Sequence, residues 1–363
     1  MRLGVEAALV GRRLVPGDVE TVDGRIAAYG LTSPNGTGIA TPGFVDLQVN
    51  GYAGIDFLEA DADGYEHASD ALLETGVTGF LATFITASED HLLAALQNVP
   101  RKVNGARVLG VHLEGPFVAP ERLGIHPSSA QREPDVELLE RLVSAGPVRL
   151  VTLAPERPGA ADLIDFLRHR AITVSCGHSD ARSDEATAAF DRGVRTVTHL
   201  FNAMRPFLHR DPGIAGAALA RDDVVIQIIL DGAHLAPETA RVVWRAASGR
   251  VALVTDAVAG AGETDGTYTL GGLEIEVRDG ISRGPEGSLA GTTIRMIDAV
   301  RNLHALGVPL ADALDAATAV PARVIGMPSV GRLDVDQPAD VVVLNDNLEV
   351  DRVFVRGDAR VVC

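Results

Sequence analysis

His199 stands where the apolar run Thr196-Val197-Thr198 gives way to Leu200-Phe201-Asn202-Ala203-Met204, and His209-Arg210 follow before the turn-forming Asp211-Pro212-Gly213. One short segment therefore offers an imidazole for a metal, an amide for a substrate hydrogen bond and a basic pair for an anion. Similar groups recur along the chain. His112 and Glu114 precede Gly115-Pro116, His178 follows Ser175-Cys176-Gly177, Asp231 and His234 flank Gly232-Ala233, and Asp256 ends Val251-Ala252-Leu253-Val254-Thr255. Glu114, His178 and His199 make a set of one carboxylate and two imidazoles, the three protein ligands a catalytic divalent metal uses while positions stay open for water. Such an ion lowers the pKa of water to about 7, so that Asp256 can take its proton near neutrality. His112 lies two residues before Glu114 and points to the same side of its strand, where it is read as packing or supporting the site. His126, in the loop Gly124-Ile125-His126-Pro127, could reach the same place.

Bringing these groups together requires elements that end side by side. The middle of the chain alternates apolar strands with amphipathic helices, the pattern of a parallel α/β fold. Strands are expected over Gly43–Val49, Gly79–Phe84, Arg107–Leu113, Val148–Leu153, Ile172–Cys176, Thr196–Leu200, Val224–Leu230 and Val251–Thr255. Helices fall between them, such as Glu89–Val99, Ala160–Arg170 and Pro237–Ala247. Eight such strands fit a (β/α)8 TIM-type barrel, a fold of roughly 200 to 400 residues whose active site lies at the C-terminal strand ends. His112, Glu114, His178, His199, Asp231, His234 and Asp256 each fall at one of those ends. A doubly wound open sheet is the alternative, but no glycine-rich fingerprint follows the first strand. Residues 260–287, rich in glycine, are read as a hairpin excursion after the eighth strand. The two termini carry short β segments without helical period, which predicts a small β-sandwich domain assembled from residues 1–41 and 331–363 around a catalytic barrel at 42–330.

The bulk numbers narrow the function. The 363 residues are 46% hydrophobic and 22% charged, with no apolar run of membrane-spanning length, so a disordered or membrane protein is disfavoured. A formal net charge of −17 repels nucleic acid and acidic membranes, and an anionic substrate would need a local basic cluster. Cys176 and Cys363 are the only cysteines, and Glu6 interrupts any secretory apolar core, which together point to a reducing cytoplasm.

With these residues assembled, the chain resembles the amidohydrolase superfamily and, within it, the N-acetylglucosamine-6-phosphate deacetylases. The resemblance covers nearly the whole length and rests on Thr41-Pro42-Gly43-Phe44-Val45-Asp46, His112-Leu113-Glu114-Gly115-Pro116-Phe117, Gly177-His178-Ser179, Thr198 to Met204, Asp231-Gly232-Ala233-His234, Thr255-Asp256-Ala257 and Leu289-Ala290-Gly291-Thr292. It implies hydrolysis of the N-acetyl amide of a sugar phosphate in amino-sugar catabolism or cell-wall recycling. One divalent ion, Zn2+ or else Fe2+, Mn2+ or Co2+, would be held by Glu114, His178 and His199. Asp256 would activate water and protonate the departing amine, and His126 would polarise the acetyl oxygen. Asn202, the Ala203 main chain, Arg210 and His234, with Gln48, would contact the sugar phosphate. Some relatives complete the site with a basic loop from a neighbouring subunit, which implies a homodimer. Many amidohydrolases carry His-x-His at the end of the first strand for a second metal; Gln48 and Asn50 occupy those positions here, and neutral amides are poor zinc ligands. The alternatives are another amidohydrolase, such as an N-acetylgalactosamine-6-phosphate deacetylase, and a non-catalytic barrel scaffold.

Overall fold

The computed structural model describes residues 1–361, so Cys363 lies outside the described residues. Eight parallel strands form one sheet in chain order, each hydrogen-bonded to its sequence neighbours. They are β1 Phe44–Val49, β2 Val77–Ile85, β3 Arg107–Glu114, β4 Val148–Leu153, β5 Thr173–Cys176, β6 Thr196–Val197, β7 Val225–Ile228 and β8 Val251–Leu253. A helix follows each strand, from Ala62–Glu74 after β1 to Met296–Ala305 after β8. This is a (β/α)8 barrel. All nine residues of β2 are buried, which is why its sequence is a continuous apolar run rather than an alternation.

The ladder is not continuous between β8 and β1. Ala316 and Ala317 enter that seam, accepting hydrogen bonds from Leu253 N–H at 2.8 Å and Val45 N–H at 2.9 Å. At the catalytic end the seam is closed by a bridge between Val49 and Ala257. The short helix Ala319–Val324 packs its Ala322 and Val324 against Val45, Leu47, Leu81 and Leu150, filling the barrel near the strand starts.

The termini build a separate six-stranded sheet from Ala7–Val10, Arg13–Pro16, Ile39–Pro42, Val341–Leu344, Val350–Val355 and Asp358–Val361. A hairpin of Asp18–Val22 and Arg25–Leu31 packs on it through Val19 and Ile26, which meet Val5, Ala8, Ala40, Val341 and Phe354 in a core of their own. The glycine-rich excursion is a three-stranded antiparallel sheet, Gly266–Leu270, Leu273–Arg278 and Ile281–Arg283. Its tight turn is tied back by Gly271 N–H, which donates to the buried Asp56 carboxylate at 2.6 Å. Among the described residues, no helix is long and apolar enough to cross a membrane.

Candidate active site

At three strand ends the backbone turns sharply. His178, His199 and Asp256 have φ of 46°, 30° and 53°, in the left-handed region that few non-glycine residues occupy, although histidine and aspartate tolerate it better than most. Each such residue costs about 1 kcal/mol or more, a cost that recurs at functional sites. The turn aims each side chain into one cavity of about 260 Å³, whose walls include Asn50, Glu114, His126, His178, His199, Asn202, Ala203, His234 and Asp256.

Glu114, His178 and His199 converge at the bottom. Glu114 Oε1 lies 3.1 Å from His178 Nε2 and 2.8 Å from His199 Nε2, and the two imidazole nitrogens are 3.2 Å apart. All three residues are buried, and one donor atom from each falls within 4.8 Å of the others. His178 Nδ1 sits 2.9 Å from the Arg122 carbonyl oxygen, to which it donates, so its Nε2 lone pair faces the cluster. A carboxylate and two imidazoles with their free electron pairs aimed at one point fit a divalent cation. Burial pushes the Glu114 carboxyl upward, but the imidazoles of His126, His178 and His199 outweigh it and hold the group well below the ordinary carboxylate range.

Two further groups flank the cluster. Asp256 is raised to about 8 by burial and then by the Glu114 charge, and Asn50 Nδ2 donates to its Oδ1 at 2.7 Å. His126 Nε2 is 3.7 Å from Glu114 Oε2, and burial, with the neighbouring His178, lowers its pKa to about 4. Thr86 faces His126 Nδ1 with its hydroxyl at 2.8 Å and its N–H at 3.4 Å.

Beneath this layer lies a second one. His112 is fully buried, with Nε2 2.7 Å from Thr152 Oγ1 and Nδ1 3.4 Å from Thr83 Oγ1. Thr152 continues to Thr198 at 2.7 Å, and Thr198 to Ser175 at 2.6 Å. None of these side chains lines the cavity. His112, expected to pack or to support the site, is bonded to these hydroxyls and to none of Glu114, His178 and His199.

The residues expected to contact substrate divide. Asn202, Ala203 and His234 are on the cavity wall, and Asp231 holds His234 Nδ1 at 2.7 Å. Gln48 is fully buried off the wall, and its Nε2 donates to Glu114 Oε1 at 3.1 Å. Arg210 is exposed on the loop after β6 and does not line the cavity, since Arg205, Asp180, Asp211 and Arg122 pair with one another and hold that loop outward. The sequence reading did not single out Thr86, Asn50 as a partner of Asp256, or Leu270, by which the antiparallel sheet reaches the cavity. Only Asn50 had a signal there, as an amide at a strand end. Cys176 is buried and its thiol is pushed up by burial, so it packs rather than reacts.

The Amidohydrolase family model matches residues 39–360. The chain is 35% identical over 347 residues to the N-acetylglucosamine-6-phosphate deacetylase of Vibrio furnissii, covering 93% of this chain and 86% of that protein. It is 36% identical over 324 residues to an N-acetylgalactosamine-6-phosphate deacetylase of Escherichia coli O157:H7, covering 87% and 86%. The structure of a mutant N-acetyl-D-glucosamine-6-phosphate deacetylase from Mycobacterium smegmatis, in complex with N-acetyl-D-glucosamine-6-phosphate, is similar with a TM-score of 0.94 at 35% identity, covering 99% of this chain and 98% of that one.

Proposed function

The chain belongs to the amidohydrolase family, and from that premise we propose that it hydrolyses the N-acetyl amide of N-acetyl-D-glucosamine 6-phosphate to D-glucosamine 6-phosphate and acetate. The observation that carries the reading is the meeting of Glu114, His178, His199, His126 and Asp256 in one cavity. An unactivated amide needs a stronger nucleophile than water, stabilisation of charge on its oxygen and a proton for its nitrogen. Glu114, His178 and His199 would hold one zinc ion, which when bound supplies Lewis acidity and makes water more acidic. Zinc suits this mixed oxygen and nitrogen donor set.

The chain's own groups account for the proton movements. Asp256 takes a proton from the attacking water and returns it to the departing nitrogen. With the Thr86 N–H donating to Nδ1 at 3.4 Å, neutral His126 carries its proton on Nε2 and donates it as a hydrogen bond to the acetyl oxygen as charge develops there. Asn202, the Ala203 main chain and His234 hold the sugar phosphate. Arg210 acts on the cavity of a second copy in a homodimer. Its loop supports this, because Phe207 and Leu208 beside it are 51% and 56% exposed, an apolar pair suited to a partner surface. The catalytic unit is the barrel at 42–330, with 1–41 and 331–363 forming the small sandwich, and the setting is the cytoplasm, in amino-sugar catabolism or cell-wall recycling.

The test is acetate release from N-acetylglucosamine 6-phosphate by protein of known metal content, beside the unphosphorylated sugar and the galacto epimer. Preference for the first substrate, lost on chelation and restored by zinc, is the expected result. Equal turnover without the phosphate would remove Asn202, His234 and Arg210 from their roles. Undiminished turnover after complete chelation would remove the metal.

A further inference from the structure

Asn50 is 2% exposed and fixed through both main-chain groups: its N–H donates to the Ala257 oxygen at 2.7 Å, and its own oxygen accepts from Phe57 N–H at 2.8 Å. Its side chain makes one recorded bond, from Nδ2 to Asp256 Oδ1 at 2.7 Å. Facing a carboxylate, an amide must present its nitrogen, so Oδ1 is turned the other way. That Oδ1 is shut off from solvent and has no partner. Among the described residues no other protein group donates to the Asp256 carboxylate.

A buried acceptor without a donor opposes folding, and leucine, with the same branching and no polar atom, would not carry that penalty. The amide at position 50 is therefore explained by its donor and by what the donor holds. Gln48, two residues earlier, repeats the pattern, with Nε2 on Glu114 Oε1 and its own Oε1 buried without a partner. The end of β1 thus sets one neutral amide against each of two site carboxylates, Gln48 toward Glu114 of β3 and Asn50 toward Asp256 across the seam where the barrel ladder is interrupted.

We propose that Asn50 is a positioning residue for the hydrolysis: it grips Oδ1 of Asp256 across the β1/β8 seam and leaves Oδ2 as the oxygen that exchanges protons with water and the leaving nitrogen. The role rests on the function proposed above. Asp256 sits on a left-handed turn and has no other side-chain anchor, so without the amide its carboxylate rotates away from the reacting atoms.

The experiment compares native protein with Asn50→Leu and Asn50→Asp, all metal-loaded, in the acetate assay, with metal content and thermal unfolding measured alongside. Leucine keeps the shape and removes the donor; aspartate keeps the shape and replaces the donor with a repelling carboxyl. We expect kcat to fall on the order of 10²-fold in both, as misplacement of a reacting group does, with KM changed by less than about twofold. Metal content should stay at the native value, and the melting temperature of Asn50→Leu should equal or exceed the native one. A kcat within about threefold of native in both variants, or a change carried mainly by KM, would overturn the proposal. So would loss of the folded state in both, which would make Asn50 a structural group. Native protein that releases no acetate would instead withdraw the functional reading, and this role with it.

Discussion

Two polar layers are stacked inside this barrel, each built around histidine. The lower one, His112 with Thr83, Thr152, Thr198 and Ser175, is a hydrogen-bonded chain that runs from β2 through β5 to the residue after β6. The upper one, Glu114, His178 and His199 with Gln48 and Asn50, leaves His199 Nδ1, Gln48 Oε1 and Asn50 Oδ1 without partners. Both are buried, so burial does not separate them. The difference is that the lower layer satisfies itself, whereas the upper brings Glu114 Oε1, His178 Nε2 and His199 Nε2 together at one point. Polar groups that satisfy one another specify a fold, whereas a carboxylate oxygen and two imidazole nitrogens held within 3.2 Å suit a shared cation.

Three substitutions bear on that contrast, ordered by their effect on turnover. Asp256→Asn keeps the shape of the upper layer and removes its proton acceptor. Turnover should drop on the order of 10³-fold, the middle of the range for a general acid and base, while metal content and melting temperature hold. Turnover that survives with metal bound would mean the base lies elsewhere. His126→Gln should lower kcat by about 10²-fold, typical of a lost donor to a developing oxyanion. Steady-state rates on the same substrate decide it, and a pure KM effect would move His126 from the reacting carbonyl to binding.

His112→Gln touches the lower layer and should leave kcat within about threefold while changing stability. Burial holds the His112 pKa at about 4 against an ordinary 6.5. The unfolded chain therefore binds a proton that the folded chain refuses between those values. The neutral ring contributes stability that is present in full above pH 6.5 and is lost as pH falls through about 4, roughly 3 kcal/mol in all. Urea unfolding of metal-free protein across that window should show a shallower loss in His112→Gln than in native protein. Equal slopes would place the acid sensitivity in other groups.

Much of this architecture can be read from residues alone because barrel strands are apolar runs and their chemistry is deposited at one end of each. β2 and β3, with Glu114 closing β3, follow directly from that pattern. The helices Leu310–Asp315 and Ala319–Val324 do not, since each is six residues long, too short for a helical period to show in an alanine-rich stretch. β6 is two residues long where five were expected, because the backbone reaches its left-handed turn at His199. Long-range pairings were equally closed to inspection. Asn50 and Asp256 are 206 positions apart, and nothing in either segment names the other. The outward position of Arg210 depends on Arg205 pairing with Asp180 and Asp211, a choice that several nearby charges could have made differently.

The small antiparallel sheet at 266–283 hydrogen-bonds to no barrel strand, yet Leu270 at its tip forms part of the cavity wall. Floor and roof of the cavity thus answer to different parts of the molecule. The floor is held by eight strands that cannot shift singly, while the roof is a separate sheet joined by two loops, the Gly271–Asp56 bond and the packing of Leu270 and Ile275 on Ile85 and Val258. The exposed turns of that sheet can change without breaking a barrel ladder. The cavity can therefore be reshaped at its roof while the groups that meet at its floor stay fixed.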